Sequence, residues 1–347
     1  MTRFVHFVTQ GYSLSVVKPL IAEVRRRGAG ESLLFVPPRL KHLVDFEVAV
    51  TSSFTEACHF CPDIVFVPGN VIPYRLPGLK VQIFHGLCEE KGGHYKITGF
   101  FDLYCTSGPL ITSRFQQLAA HWGHFAVQET GWPKVDSILA PYERRALCQR
   151  LGLNAEHKIV LYAPTFSPKF KSTDIIRPVL PTLPRPDEIW LIKFHDLMPV
   201  KEQRFFQNLS RDSFRIIEGY DNVPLLQAAD ILVSDTSSIV YEFLLLDKPV
   251  ITIGALVRLE KGLNVLRSAD LRPALDACRT HPQQLSAQRR LVMAQIHPYR
   301  DCDNSRRVIA AAEEFLHTGQ WHKLRRKPLN LFRKWQVLSL MRTWDKR

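Results

Sequence analysis

Residues 231–254 read ILVSDTSSIVYEFLLLDKPVITIG. An apolar run of strand length ends in Ser-Asp-Thr-Ser-Ser. An apolar stretch of helical length follows, and a second apolar strand starts after Asp247. A strand–helix–strand unit of this size implies parallel strands covered by helices. The same rhythm extends upstream, with KIVLYAPT (158–165), EIWLIKFH (188–195) and FRIIEG (214–219) reading as strands and VPLLQAA (223–229) as a short helix. An earlier series contains FVHFVTQ (4–10), SLLFVP (32–37), DIVFVPG (63–69), LKVQIFHG (79–86) and FDLYCTSG (101–108), with helices over 13–27 and 113–123. The alternation thus occurs twice. The expected fold class is α/β, with two doubly wound parallel-sheet domains: 1–142, a linker at 143–157, 158–315, and a basic aromatic tail at 316–347. Open α/β sheets bind ligands outside the carboxyl ends of their strands, so an interdomain cleft is the expected site.

The 347 residues are 46% hydrophobic and 23% charged, which excludes wholesale disorder. The longest apolar stretch, 239–257, is broken by Glu242, Asp247 and Lys248, so no membrane span is expected. The start, MTRFVHFVTQGYS, reads as a first strand rather than a signal peptide, which suggests a cytoplasmic chain. Net charge is +13, and residues 321–347 hold nine Lys and Arg against one acid, Asp345. The body is therefore only mildly basic, and nucleic acid is not an expected partner. A basic tail interleaved with Trp321, Leu331, Phe332, Trp335, Leu338 and Trp344 suits an anionic membrane surface; a helix packed on the body is the alternative. The seven cysteines are scattered, and only Cys58 and Cys61 form a C-x-x-C, so reduced thiols and no metal are expected.

Three strand ends carry the candidate chemistry. At Ser234-Asp235-Thr236-Ser237-Ser238, hydroxyls and free backbone N–H groups at a strand–helix junction suit a phosphate; an ordinary helix cap uses the same residues. His85-Gly86 ends the strand VQIF, where an imidazole can act as a general base and glycine permits close approach; a core or capping histidine is the plain reading. Lys193 and His195 end IWLIKFH on one side of the strand, positioned to meet a diphosphate, unless they form a solvated basic edge. Thr165 and Glu242 are weaker members of the set. Gly11 lies in no nucleotide-binding glycine motif.

Several of these stretches together resemble the CDP-glycerol glycerophosphotransferases, the teichoic-acid type polymerases and primases. QIFHG is similar to that family's His-Gly motif, with Lys91 and Lys96 as candidates for the lysine that follows it. GWPKVD (131–136) resembles its Gly-Tyr-Pro-Arg-x-Asp segment, LYAPTF its Leu-Tyr-Ala-Pro-Thr-Trp, and KFH its Lys-x-His-Pro. Residues 229–251 resemble its Ala-Asp-x-Leu-Ile-Thr-Asp-Tyr-Ser-Ser block, and YRDCDNSRRV (299–308) its late Asp-Gly-x-x-Ser-x-Arg element. Asp196 stands where the family has Pro, Thr236 where it has Tyr, and Phe166-Ser167 where it has Trp-Arg.

The resemblance implies a GT-B fold and transfer of glycerol phosphate, or a related alditol phosphate, from a CDP-activated donor to a surface polymer or its lipid-linked precursor. It implies His85 as the base. His195 and Lys193 would meet the donor diphosphate, and Gly86, Thr165, Thr236, Ser237 and Ser238 would line the donor site. Asp235 would fix the turn and Glu242 would reach the ribose. No cofactor beyond the donor is implied, and the place of work is the inner face of the cytoplasmic membrane. The alternatives are a GT-B glycosyltransferase using a nucleotide sugar in lipopolysaccharide or capsule synthesis, and a non-catalytic membrane-associated assembly protein.

Overall fold

The computed structural model describes residues 1–90, 92–209 and 212–345, with side chains through residue 342. Backbone contacts divide the chain into two units. One is Met1–His85 with Gly92–Ser137 and Gln295–Arg347; the other is Gly86–Lys91 with Ile138–Ala294.

The first unit holds β1 (Thr2–Phe7), β2 (Gly30–Phe35), β3 (Ala49–Thr51), β4 (Ile64–Val67), β5 (Leu79–Gln82), β6 (Leu103–Thr106) and β7 (Ala126–Glu129). They form one sheet in the order β3-β2-β1-β4-β5-β6-β7, with every pair parallel. The second unit holds β8 (Lys158–Ala163), β9 (Glu188–Ile192), β10 (Phe214–Ile216), β11 (Ile231–Ser234), β12 (Val250–Ile253) and β13 (Leu263–Val265), all parallel, in the order β10-β9-β8-β11-β12-β13. The central strands are buried at successive residues, as in Ile64–Val67 and Ile231–Ser234, because both faces of each sheet are covered. Val160, Tyr162, Trp190, Ile192, Val233 and Ile251 line a core in the second unit, and Val5, Phe7, Phe35, Val65 and Tyr104 one in the first. In each sheet the chain winds outward over three strands and then returns beside the first. The order therefore reverses between β1 and β4 and between β8 and β11, the switch points where such sheets take ligands. The fold class is the expected pair of Rossmann-like units.

The unit boundaries differ from a division in chain order. The main span of the second unit begins at Ile138, and the segment expected as a linker is packed into it. Glu143 caps the helix Arg144–Arg150 by accepting from the N–H groups of Arg145 and Ala146, and the Arg144 guanidinium donates to the Ala228 carbonyl at 2.9 Å and to Asp230 at 3.0 Å. The second unit ends at Ala294, so the helix Asn304–His317 groups with the first. That helix buries Val308, Ile309, Ala312 and Phe315, and its Glu313 pairs with Arg27 of the helix Leu14–Arg27 at 3.2 Å.

The tail is packed on the body in part. In the helix Leu331–Asp345, Val337 and Met341 are buried in the core that includes Phe101 and Tyr104. Leu331, Phe332 and Trp335 are instead 63–71% exposed. Lys346 and Arg347, and the side chain of Trp344, lie outside what is described. Among the described residues, no helix is long and apolar enough to cross a membrane, and no group of three or more His, Cys, Asp or Glu is placed to hold a metal ion.

Candidate active site

The carboxyl ends of β9, β8 and β11 lie side by side in the second unit, and most of the residues singled out in the sequence sit there. Asp235 is fully buried, and its carboxylate accepts from the Thr165 N–H at 3.0 Å and from the Ser172 N–H and hydroxyl at 3.1 and 2.9 Å. The Tyr162 hydroxyl, 3.0 Å from Ser172 Oγ, extends this network, and burial raises its pKa so that it stays protonated. Asp235 thus clasps the loop after β8 to the turn after β11. Both of its oxygens are engaged in the fold, so its part is to hold the site in shape rather than to touch a ligand.

The clasp presents hydroxyls. Thr165 is 1% exposed and its Oγ1 has no hydrogen-bond partner among the described residues, an uncommon state for a buried hydroxyl. Thr236, which follows Asp235, is buried, while Ser237 and Ser238 are half-buried. Ser237 is extended (φ −133°, ψ 147°) and caps the following helix by position, but its side chain makes no capping bond. That helix, Ser238–Leu244, has only seven residues, so anion affinity here comes from hydroxyls and backbone N–H groups more than from a long helix dipole.

β9 ends at Ile192, earlier than the sequence suggests, so Lys193 and His195 do not share one face of a strand. The Lys193 N–H still donates to Tyr162, and its ammonium donates to the Phe194 carbonyl at 3.1 Å. His195 is fixed by the Leu197 N–H donating to Nδ1 at 3.1 Å, which leaves its proton on Nε2, and its ring lies 4.5 Å from that of Phe166. Glu242 is buried, one turn into the helix, and accepts from the Asn222 side chain at 3.3 Å.

Gly86 also belongs to this unit. A Cβ at that position would fall 3.2 Å from both Cβ and Oγ of Ser238, so glycine here allows the backbone of residue 86 to lie close to the hydroxyl turn. Two acids that sequence reasoning missed anchor the segment. Glu90, whose side chain is 6% exposed, accepts from the Tyr241 hydroxyl at 2.7 Å and pairs with Lys261, which is 1% exposed, while Glu89 meets Arg258 at 2.6 Å. Burial and the Glu90 carboxylate raise the Tyr241 pKa, keeping the phenol a donor.

In the first unit, His85 is half-buried, with the rings of Tyr12 and His94 at 5.8 and 5.2 Å. Neither neighbour is marked by a strand end or a motif. Lys96 is exposed, and Lys91 lies outside the described residues. The residue before His85 is Phe84, with a φ of +58°. A bulky aromatic in the left-handed region costs about 1–3 kcal/mol and persists only where its surroundings hold it. The Phe84 ring packs against Phe115 at 5.2 Å, and its carbonyl accepts the Trp132 indole N–H at 3.2 Å. Trp132 is itself buried, and its backbone N–H donates to Nε2 of His297 at 2.9 Å. Burial lowers the His297 pKa to about 4, keeping that nitrogen an acceptor.

Gly131 (φ +78°) lies so close to Asn304 that any Cβ would collide with it. Asp136 accepts from the Asn304 N–H and side-chain amide and from the Ser305 N–H at 2.7–2.9 Å. GWPKVD and the late NSRR stretch therefore meet each other and brace the residue that precedes His85.

Two doubly wound units in one chain make a GT-B-like fold, and solved structures share it. The wall teichoic acid polymerase TagF matches with a TM-score of 0.67 at 13% identity, over 91% of this chain and 90% of that one. MnaA of S. aureus, solved with UDP, matches with a TM-score of 0.66 at 14% identity, over 91% and 97%. A putative UDP-N-acetylglucosamine 2-epimerase from Listeria monocytogenes gives 0.61 at 12% identity, over 91% and 97%. At these identities the likeness is one of fold.

The sequence model of the family described as CDP-Glycerol:Poly(glycerophosphate) glycerophosphotransferase matches residues 91–255, just under half of the chain, and upholds the resemblance to a transferase of that type. The matched span takes in Thr165, Lys193, His195, the turn 235–238 and Glu242. It stops short of His85 on one side and of the NSRR stretch on the other. No curated protein matches the chain.

Proposed function

We propose that the chain transfers glycerol phosphate, or a related alditol phosphate, from a CDP-activated donor to a hydroxyl of a cell-surface polymer or its lipid-linked precursor. The observation that carries this reading is the Asp235 clasp, which brings the partnerless Thr165 hydroxyl and the hydroxyl turn to the carboxyl edge of β8 and β11, beside His195 at the end of β9. Thr165, Thr236, Ser237 and Ser238 bind the donor phosphates, and Gly86 completes that wall. His195, through its Nε2–H, and Lys193 neutralise charge that builds on the leaving phosphate. Glu242 receives a ribose hydroxyl. In the chemical step the acceptor oxygen bonds to the glycerol-bearing phosphorus, and the P–O bond to CMP breaks with its electron pair leaving on CMP. The acceptor proton passes to His85.

The test is product analysis. With CDP-glycerol and a glycerol-phosphate-primed acceptor, one CMP should appear for each unit transferred. Release of UDP from a nucleotide sugar, with no CMP from CDP-glycerol, would select the glycosyltransferase reading. That alternative is favoured by the departures nearest the donor, Phe166, Asp196 and Thr236.

The same reading includes peripheral attachment to the inner face of the cytoplasmic membrane through residues 321–347. Leu329, Leu331, Phe332 and Trp335 are 63–73% exposed, close in sequence to Arg325, Arg326, Lys327, Arg333 and Lys334. Because Val337 and Met341 hold the helix in the core, substitution is a cleaner test than deletion. Replacing Leu331, Phe332 and Trp335 together by serine should reduce binding to phosphatidylglycerol vesicles at least tenfold, since each large side chain contributes about 1.5–3 kcal/mol when buried. The thermal midpoint should not change. Unchanged vesicle binding would leave the helix a packing element.

A further inference from the structure

Phe84 is a buried, bulky residue with a φ of +58° directly before His85, and nothing about phenylalanine favours that backbone conformation. β5 ends at Gln82, and with an extended backbone at Phe84 the chain beyond it would run in a different direction and carry His85 elsewhere. What holds the left-handed state is therefore what aims His85. The Trp132 indole N–H donates to the carbonyl of Phe84 itself at 3.2 Å. Trp132 is held in turn from its backbone by His297, and the preceding Gly131 is seated against Asn304. Phe84, Gly131, Trp132, His297 and Asn304 are all buried.

We propose that Trp132 is a positioning residue for His85, acting through the strained Phe84 backbone. The proposal rests on the reading of His85 as the acceptor-side base. A phenylalanine at 132 would keep most of the aromatic volume and remove only the N–H that pins the Phe84 carbonyl. Small misplacements of a catalytic group commonly cost tenfold to a hundredfold in rate.

The test combines Trp132→Phe with histidine-labelled NMR, in which the His85 signal is assigned by its loss in His85→Ala. Trp132→Phe should shift or broaden the His85 ring resonance while leaving that of buried His6 unchanged. It should lower kcat at least tenfold with the donor KM within twofold. In the His85→Ala background the same substitution should have no further effect on rate, because the residue acts through His85. An unchanged His85 resonance, or an equal rate loss with and without His85, would overturn the proposal. Full turnover by His85→Ala would instead overturn the base assignment, and the resonance would still decide whether Trp132 aims the ring. Should Trp132→Phe fold poorly, His297→Leu releases Trp132 from its other side and should move the same resonance.

Discussion

Replacing His85 by alanine is expected to lower turnover by roughly 10²–10⁴-fold, the usual contribution of a positioned general base. Donor binding and the thermal midpoint should stay near those of the native chain. The ring is half-buried and lies against Tyr12 and His94, so its loss opens no sealed cavity. The residues assigned to the donor are held by their own network, centred on Asp235. The outcome is checked by CMP release under saturating donor, with a melting curve in parallel. A rate within tenfold of native would remove His85 from the chemistry, and His94, at 5.2 Å from it, would be the next imidazole to replace.

Asp235→Ala is expected to act in the opposite sense, chiefly on stability. The Thr165 and Ser172 N–H groups donate to this buried carboxylate, and each, left unpaired, costs about 1–3 kcal/mol. A loss near 3 kcal/mol in a unit of this size lowers the midpoint by roughly 6–12 °C. Nucleotide binding should fall as well, because the loop after β8 is no longer tied to the hydroxyl turn. Ser237→Ala separates the two effects. Its side chain makes no capping bond, so it should weaken nucleotide binding with almost no change in stability. A midpoint for Asp235→Ala within about 2 °C of native would mean that the clasp does not hold the site together.

Much of the fold was legible because its central strands are apolar on both faces and end in polar turns, as 231–238 does. The missed strands are β3, β7 and β13, which are three or four residues long. Several strands that were read are equally short, but β7 and β13 carry Gln128, Glu129 and Asn264 within them, so no apolar run marks them. Reading in chain order also assigned the helix Asn304–His317 to the second unit. Its return to the first rests on side chains more than 150 residues apart, such as Asp136 with Asn304 and Ser305.

In the site, strand ends and hydroxyls pointed to His85, Thr165, His195 and the turn 235–238. The role of Asp235 was readable only as far as fixing the turn, since its partner Ser172 lies in an irregular loop. Gly86 was read for close approach of a ligand; what the structure shows there is close approach of Ser238. Glu90 with Lys261 and Tyr241, and Trp132 with Phe84, left no trace in the sequence. Each pair joins residues distant along the chain, and the left-handed φ of a phenylalanine has no compositional mark.

The most direct measurement of the donor assignment is the thermal midpoint of the native chain across CMP, CDP, CDP-glycerol, UDP and a UDP-sugar. A ligand at a hundred times its Kd stabilises by about 2.7 kcal/mol, a shift of several degrees. The three cytidine nucleotides should raise the midpoint, and Ser237→Ala should reduce that rise, while the uridine compounds leave it in place. A rise with uridine nucleotides alone, or with none of the five, would contradict a CDP-linked donor.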